Sequence, residues 1–289
     1  MIYPIIKWIG GKRQIMHHIN NFIPNNINNF YDIFCGGGSV LINVLLSKNP
    51  NKVYAYDINA QLINMYQNIK NHPQKLYDIL RVLNEEYFSI DIHKIQRTGT
   101  FKNHPKNKND AMKSRELYYY YVRNKYNEGY DKLDIYNSAY FIFLNKTCFR
   151  GLYRIANNKF NVAYGNYKNP CIIDKNNLFE LSKLIKNVIF TCMNFEQSLS
   201  DIKYHKNDVI YMDPPYYGRY GKYSSHIFDH AKLYDICKGL KSKYIMNNSD
   251  DAYVINTFKN CANIKYIHSI DLINSKKPDN IINEIIIYN

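Results

Sequence analysis

Apolar positions change period several times along the chain, and each change marks an element. Within residues 13–22, Ile15, Met16, Ile19 and Phe22 recur near helical spacing. Residues 29–34 are short, aromatic and β-branched, which predicts a strand. It runs into Cys35-Gly36-Gly37-Gly38, with Ser39 placed to cap a helix over 40–46. A second strand is predicted over 53–56, ending at Asp57, and Leu62, Met65, Tyr66 and Ile69 mark another helix. Strand and helix alternating in this order predict a parallel sheet covered by helices.

From about residue 72 to residue 168 the strand signals fade. Helices are predicted over 74–88, 112–128 and 133–146, and a polar, basic loop over 95–113. A β-hairpin is predicted over 149–164, turning at Asn157-Asn158-Lys159. The run Tyr118–Tyr121 goes round its helix, so it divides between core and surface. Alternation resumes after Pro170, with a helix over 178–186 and strands over 188–192 and 209–212. The second of these strands runs into Asp213-Pro214-Pro215-Tyr216. A helix over 233–240, a strand over 244–246 and a helix over 252–258 follow, then a closing antiparallel pair, 265–270 with 284–288. The expected organisation is one α/β domain in two parts, residues 1–71 and 169–289, interrupted by a mainly helical insert, residues 72–168.

Composition narrows the class. With 289 residues and 46% hydrophobic content the chain can bury a core, which excludes disorder as its main state. No apolar run approaches the ~18 residues of a membrane span, and residues 1–9 carry no signal-peptide pattern. A soluble, cytoplasmic protein without a membrane partner is expected. The formal net charge is +14. Residues 72–168 hold 17 Lys+Arg against 9 Asp+Glu, so more than half of the excess lies in a third of the chain. The insert is therefore the part expected to meet a polyanion, although a general abundance of Lys and Asn contributes. Cys35, Cys148, Cys171, Cys192, Cys237 and Cys261 form no C-x-x-C pair and no zinc spacing, and are expected as reduced, mostly buried thiols. His226 and His230 share a helical spacing without further ligands nearby, and read as surface or capping residues.

Three motifs carry candidate chemistry. Gly36-Gly37-Gly38 stands between a strand and a helix, where glycines let the chain turn tightly and let a ligand approach. Asp57, at the end of the next strand, is placed to accept hydrogen bonds from a ribose. Leu41 replaces the third glycine of a dinucleotide site, and Gly10-Gly11-Lys12-Arg13 lacks the pattern of a P-loop. An adenosine without a pyrophosphate cradle is left, which suits S-adenosylmethionine; an ordinary glycine turn is the plainer reading. In Asp213-Pro214-Pro215-Tyr216, a carboxylate and a backbone carbonyl can accept both hydrogens of a nucleobase amine, leaving its lone pair free to attack a sulfonium methyl. The prolines stiffen that backbone, and Tyr216 can stack on a base that has left its helix. A stiff turn with Asp213 as a cap is the alternative. In Lys7-Trp8-Ile9-Gly10-Gly11-Lys12, Trp8 can stack on a ligand ring while a Lys meets its carboxylate, or it is simply a buried Trp.

Together, Lys7–Lys12, Asp32–Ser39, Asp57-Ile58-Asn59 and Asp213–Tyr216 resemble the Dam-type (D12 class) N6-adenine-specific DNA methyltransferases. Phe143–Lys146, Gly151–Arg154 and Phe160–Gly165 resemble that family's recognition hairpin, and Asn247–Asp250 and Asn283–Ile286 also have counterparts in it. The resemblance implies a Rossmann-like methyltransferase sheet with an inserted target-recognition domain. It implies transfer of a methyl group from S-adenosylmethionine to adenine N6 in duplex DNA, with base flipping, no metal, and S-adenosylhomocysteine as product. By resemblance, Asp213, Pro214, Pro215 and Tyr216 are catalytic. Trp8, Lys12, Phe34, Gly36, Gly38, Asp57, Phe195 and Asp213 bind the cofactor, with its adenine between Phe34 and Phe195. Arg154 reads a guanine, and Tyr167 and Lys168 touch DNA. The implied target is GATC or a related short site, and the implied setting is a monomer or weak dimer that can pair with a restriction endonuclease. Ala163 stands where GATC readers often have proline, and Asn166 where a basic residue is common; both departures bear on the recognition sequence. Asp213 favours adenine over cytosine N4, whose enzymes usually carry Ser at that place. A DNA-binding module on an inactive scaffold is the alternative of a different class.

Overall fold

A computed structural model describes residues 2–91, 105–218, 228–270 and 281–289. Residues 95–104 of the expected basic loop, and His226, lie outside them. Packing divides the chain into two units, Met1–Trp8 with Ala60–Lys186, and Ile9–Asn59 with Asn187–Asn289. These bounds differ from the sequence alternation. The helix Ala60–Asn71 turns residues such as Leu62, Asn64, Met65 and Ile69 into the core of the helical unit. There the Asn64 amide donates to the Asp134 carbonyl and to the Ser138 hydroxyl. The helix Lys175–Leu184 and the first eight residues belong to the same unit, tied by reciprocal hydrogen bonds between Tyr3 and the Asn177 amide. Order along the chain says which elements follow one another, whereas side-chain interlocking decides which share a core.

The described residues form nine strands: β1 (Asn29–Asp32), β2 (Lys52–Asp57), β3 (Ile155–Ala156), β4 (Lys159–Phe160), β5 (Ile189–Cys192), β6 (Val209–Met212), β7 (Lys243–Ser249), β8 (Asn263–Ile270) and β9 (Ile281–Tyr288). Seven form one sheet in the order β5-β2-β1-β6-β7-β9-β8. The first five of that order pair in parallel, and β9 joins β7 and β8 antiparallel, giving a Rossmann-like, mostly parallel sheet with the expected closing pair. Inner strands β1 and β6 are buried at every position, as strands covered on both faces must be. A core of Tyr31, Ile210, Met212, Tyr234, Met246, Phe258 and Ile285 lies against the helices His230–Gly239 and Ala252–Phe258. The helix Phe195–Asp201, capped by the Asn194 side chain, is additional to the sequence reading; seven residues carry too little period to announce it.

In the helical unit, Ile135–Thr147 is buried on nearly every side, with Phe141, Ile142, Phe143 and Leu144 inside. Tyr118 and Tyr119 are buried and Tyr120 and Tyr121 half-buried, the division expected of a run that circles a helix. The expected hairpin is shorter than 149–164. Asn157 and Asn158, at φ 51° and 56°, make a tight turn joining β3 and β4, which pair over two residues each. Phe149–Gly151 forms a 3-10 turn instead. Within the expected basic loop, Asn107 caps the short helix Lys108–Ala111. Two further expectations are corrected. Gly38, not Ser39, caps the helix Ser39–Ser47, in the left-handed region and without a side-chain bond. Only Cys35, Cys148 and Cys237 are buried; Cys171, Cys192 and Cys261 are exposed. Among the described residues no helix is long and apolar enough to cross a membrane.

Candidate active site

β1, β2 and β6 lie side by side in parallel, so their carboxyl ends bring Asp32, Asp57 and, just past Met212, Asp213 to one edge of the sheet. Strand order reverses between β1 and β6, and such a switch point is where open parallel sheets receive ligands. The glycine turn completes the edge. The Gly36 N–H donates to Asp57 Oδ2 at 3.0 Å and the Asn59 N–H to Oδ1 at 2.9 Å. Gly38 at φ 74° lets the helix start directly beneath the turn, a conformation that costs most side chains about 1 kcal/mol or more.

Three carboxyls at one edge repel one another and lose water. Burial drives the Asp32 carboxyl well above the usual range, and Asp213 and Asp57 add to the rise. Burial also raises Asp57, against the N–H groups of Asn59 and Gly36. Asp213 is pushed up to about 6 by burial; Lys12 holds it down, Glu284 pushes it up, and the Tyr216 hydroxyl favours its ionised form. Lys12 is 6% exposed, with Nζ 2.8 Å from Asp213 Oδ2 and 2.6 Å from the Gly10 carbonyl. The ammonium expected to meet a ligand carboxylate is thus engaged by the motif aspartate itself.

The loop after β6 is held from the neighbouring strands. Asn248 Oδ1 accepts from the Tyr217 N–H, and the Ser249 hydroxyl donates to the Tyr217 carbonyl. The Tyr216 hydroxyl donates to Glu284 Oε2 at 2.6 Å, and Lys12 Nζ stands 4.9 Å from the Tyr216 ring centroid. Sequence reasoning attached no role to Asn248, Ser249 or Glu284. The signal was there, since Glu284 interrupts a strand otherwise rich in isoleucine and is buried in it. Phe34, Phe195 and Phe228 form an aromatic group with centroid separations of 6.1, 5.8 and 5.1 Å. A base between Phe34 and Phe195 needs about 7 Å, two ring contacts of about 3.5 Å each, so those rings must part slightly.

The polar atoms left over fit S-adenosylmethionine. Among the described residues, Asp32 Oδ1 and Asp213 Oδ1 are buried with no hydrogen-bond partner. Unpaired buried acceptors cost about 1–3 kcal/mol each, a penalty relieved by a ligand that brings donors or positive charge. The Asp57 carboxylate accepts from the N–H groups of Gly36, Asn59 and Ile58, which leaves one of its about four lone-pair sites for a ribose hydroxyl.

The remaining sequence-predicted residues lie in the helical unit. The Trp8 ring stacks on Tyr153 at 5.6 Å and meets Phe141 at 6.3 Å. Arg154 is exposed, its Nε donating to Asn161 Oδ1 at 2.7 Å, which steadies the guanidinium. The Tyr167 hydroxyl accepts from the Arg150 N–H, and the Lys7 ammonium stands 4.9 Å over the Tyr167 ring. The Lys168 side chain is exposed while its carbonyl accepts from Arg115.

Comparison with known proteins meets this geometry. A type II methyltransferase, M.MjaIII, of Methanocaldococcus jannaschii is 33% identical over 95% of this chain and 94% of its own. The type II methyltransferase M1.LlaDCHI of Lactococcus lactis subsp. cremoris is 30% identical over 83% of this chain and 78% of its own. The Retron Ec67 DNA adenine methylase of Escherichia coli is 27% identical over 89% and 80%. Residues 8–273 match one family along their whole run, from the Trp8 segment through the motif at Asp213. The match runs through the glycine turn, the three-carboxyl edge and the Asp-Pro-Pro-Tyr loop, and the chain belongs to the D12 class of N6 adenine-specific DNA methyltransferases.

Proposed function

We propose that the enzyme acts on an adenine extruded from duplex DNA, at a short site such as GATC or a relative of it. The observation that carries this reading is Asp213, half-buried at the switch point, with one oxygen on Lys12 and the other buried without a partner. In this reading Asp213 and the Pro214 carbonyl accept the two hydrogens of the adenine amine. The nitrogen lone pair is thereby freed from the ring for in-line attack. S-adenosylmethionine supplies a methyl group already activated by its sulfonium, so no metal is called for. As the N–C bond forms, the C–S bond breaks and its electron pair stays on sulfur. The nitrogen then sheds one proton, for which the Asp213 carboxylate is the nearest acceptor.

Further assignments rest on the resemblance together with the placements above. Asp57 holds the ribose, Gly36 and Gly38 give the cofactor room, and Phe34 and Phe195 flank its adenine. Lys12 sets the charge of Asp213, and Trp8 contributes from the first segment. Residues 72–168 contain the recognition part, with Arg154 reading a guanine through its free edge while Tyr167 and Lys168 meet the backbone. The enzyme works as a monomer or weak dimer, and the type II names of its relatives support a paired restriction endonuclease.

The test is single-molecule sequencing of a plasmid carried with this protein in a host lacking adenine methylation. N6-methyladenine at one short motif is expected. Methylcytosine N4, or unmodified DNA from folded protein, would refute the reading. In the same assay Arg154→Ala is expected to relax base choice at one position by ~1–3 kcal/mol, the worth of a bidentate guanine contact. An unchanged motif would remove Arg154 from the readout.

A further inference from the structure

The contact between Tyr216 and Glu284 serves no purpose yet described. Glu284 sits on the antiparallel strand β9, opposite Ser249 of β7, and is 8% exposed. Carboxylates are seldom buried without a task or a partner. Its Oε2 lies 2.6 Å from the Tyr216 hydroxyl, across 68 residues of sequence. Around it, Lys12 reaches Asp213 on one side and stands over the Tyr216 ring on the other. Lys12, Asp213, Tyr216 and Glu284 thus make one connected polar group.

We propose that Glu284 is a positioning residue for methyl transfer, holding Tyr216 by its hydroxyl so that the ring stands at a fixed angle to the Asp213 carboxylate. A tyrosine whose hydroxyl is free can tip about its side-chain torsions. One tied to a carboxylate on a central strand cannot, because β9 is itself fixed between β7 and β8. Constraint matters here because Tyr216 is only 7% exposed and offers a narrow surface to an incoming base. A ring displaced by an ångström would spoil the stack and, through the base, the approach of N6 to the methyl donor. The neighbouring polar contacts have a matching task. Asn248 and Ser249 fix the backbone at Tyr217, while Glu284 fixes the side chain at Tyr216. The hydroxyl of the motif tyrosine, and not its ring alone, is therefore part of the machinery.

This inference rests on the reading of Tyr216 as the surface that receives the base, and the variants separate the two. Tyr216→Phe and Glu284→Ala are each expected to lower kcat by about tenfold, the scale of a hydrogen bond to a charged group. KM for S-adenosylmethionine should stay within about twofold. The double variant should be no slower than the slower single one, since both remove the same contact. Glu284→Gln keeps an acceptor oxygen and should recover most of the rate. A duplex with 2-aminopurine at the mapped target position should fluoresce more brightly when bound by Glu284→Ala than by the parent, because its flipped base is less well stacked. Multiplying losses in the double variant, a loss confined to KM, or wild-type rates in Tyr216→Phe and Glu284→Ala would overturn the proposal. Should Glu284→Ala fail to fold, as judged by its melting temperature, Tyr216→Phe and Glu284→Gln carry the test. Tyr216→Ala addresses the underlying reading: wild-type turnover by that variant would refute stacking on Tyr216 altogether. An inactive Tyr216→Ala beside fully active Tyr216→Phe and Glu284→Ala would refute the brace alone.

Discussion

Asp213→Ala is expected to lose methyl transfer by about a thousandfold or more, measured as incorporation of radiolabelled methyl groups into DNA. The reason is electrostatic. Positive charge develops on the attacking amine, and a preorganised group facing such charge in a water-poor site contributes about 10²–10³ in rate by itself. In the proposed mechanism Asp213 also orients the amine hydrogens, a second contribution lost in the same variant. Asp213→Asn keeps an acceptor oxygen without the charge, and should fall between the two. DNA binding should survive, because the proposed recognition part, residues 72–168, carries 17 Lys+Arg against 9 Asp+Glu. Stability runs the other way. The Asp213 pKa of about 6 in the fold lies above the ordinary 3.8, so folding favours its protonated form. That contribution is complete below about pH 4 and is lost as pH rises through 6. At pH 8 the ionised, half-buried carboxylate is a burden on the fold, one that the proposed reaction requires. Turnover by Asp213→Ala within tenfold of the parent would sink the mechanism.

Lys12→Met is the second large effect, and its signature is a displaced pH profile. In the parent, kcat/KM reports the free enzyme and should show an acid limb centred near pH 6, where Asp213 takes up its proton. Lys12 is the strongest influence holding that value down, through its charge and its 2.8 Å bond. Removing an opposite charge at such range raises a carboxyl by about 1–3 pH units. The acid limb of Lys12→Met should therefore move up by that amount. At pH 7 most of the activity disappears, and much of it returns near pH 9. Met preserves the length and apolar stem of the side chain, so lost packing does not explain such recovery. An acid limb that stays in place, with a uniform loss at every pH, would show that Lys12 serves the cofactor rather than Asp213.

How much of this was legible in the chain depends on the range of the signal. Strand β6 and the helix Ala252–Phe258 fall where their apolar runs predict, because each run is bounded by polar residues that stop it. The turn at Asn157-Asn158 was legible because asparagine tolerates the left-handed region that a tight hairpin requires. How far that hairpin zips was not, since Phe149–Gly151 takes up a 3-10 turn and Cys148 bridges to Tyr164 instead. The spacing of Leu62, Met65, Tyr66 and Ile69 marks the helix Ala60–Asn71, yet its place in a core depends on Asn64 reaching Ser138.

The same division runs through the active site. The local chemistry is written in short segments: a glycine turn between strand and helix, an acidic residue at the next strand end, and a stiff Asp-Pro-Pro-Tyr after an apolar strand. Each is a property of a few consecutive residues, and backbone stereochemistry translates it directly into shape. The charge state and the aim of those residues come from packing in three dimensions. Lys12, in the 3-10 turn Lys12–Ile15, meets Asp213 at the end of β6 although the two lie far apart in sequence, and Glu284 meets Tyr216 because the last strand inserts beside β7. Electrostatic coupling and hydrogen bonding depend on distance in space, which a separation along the chain does not encode.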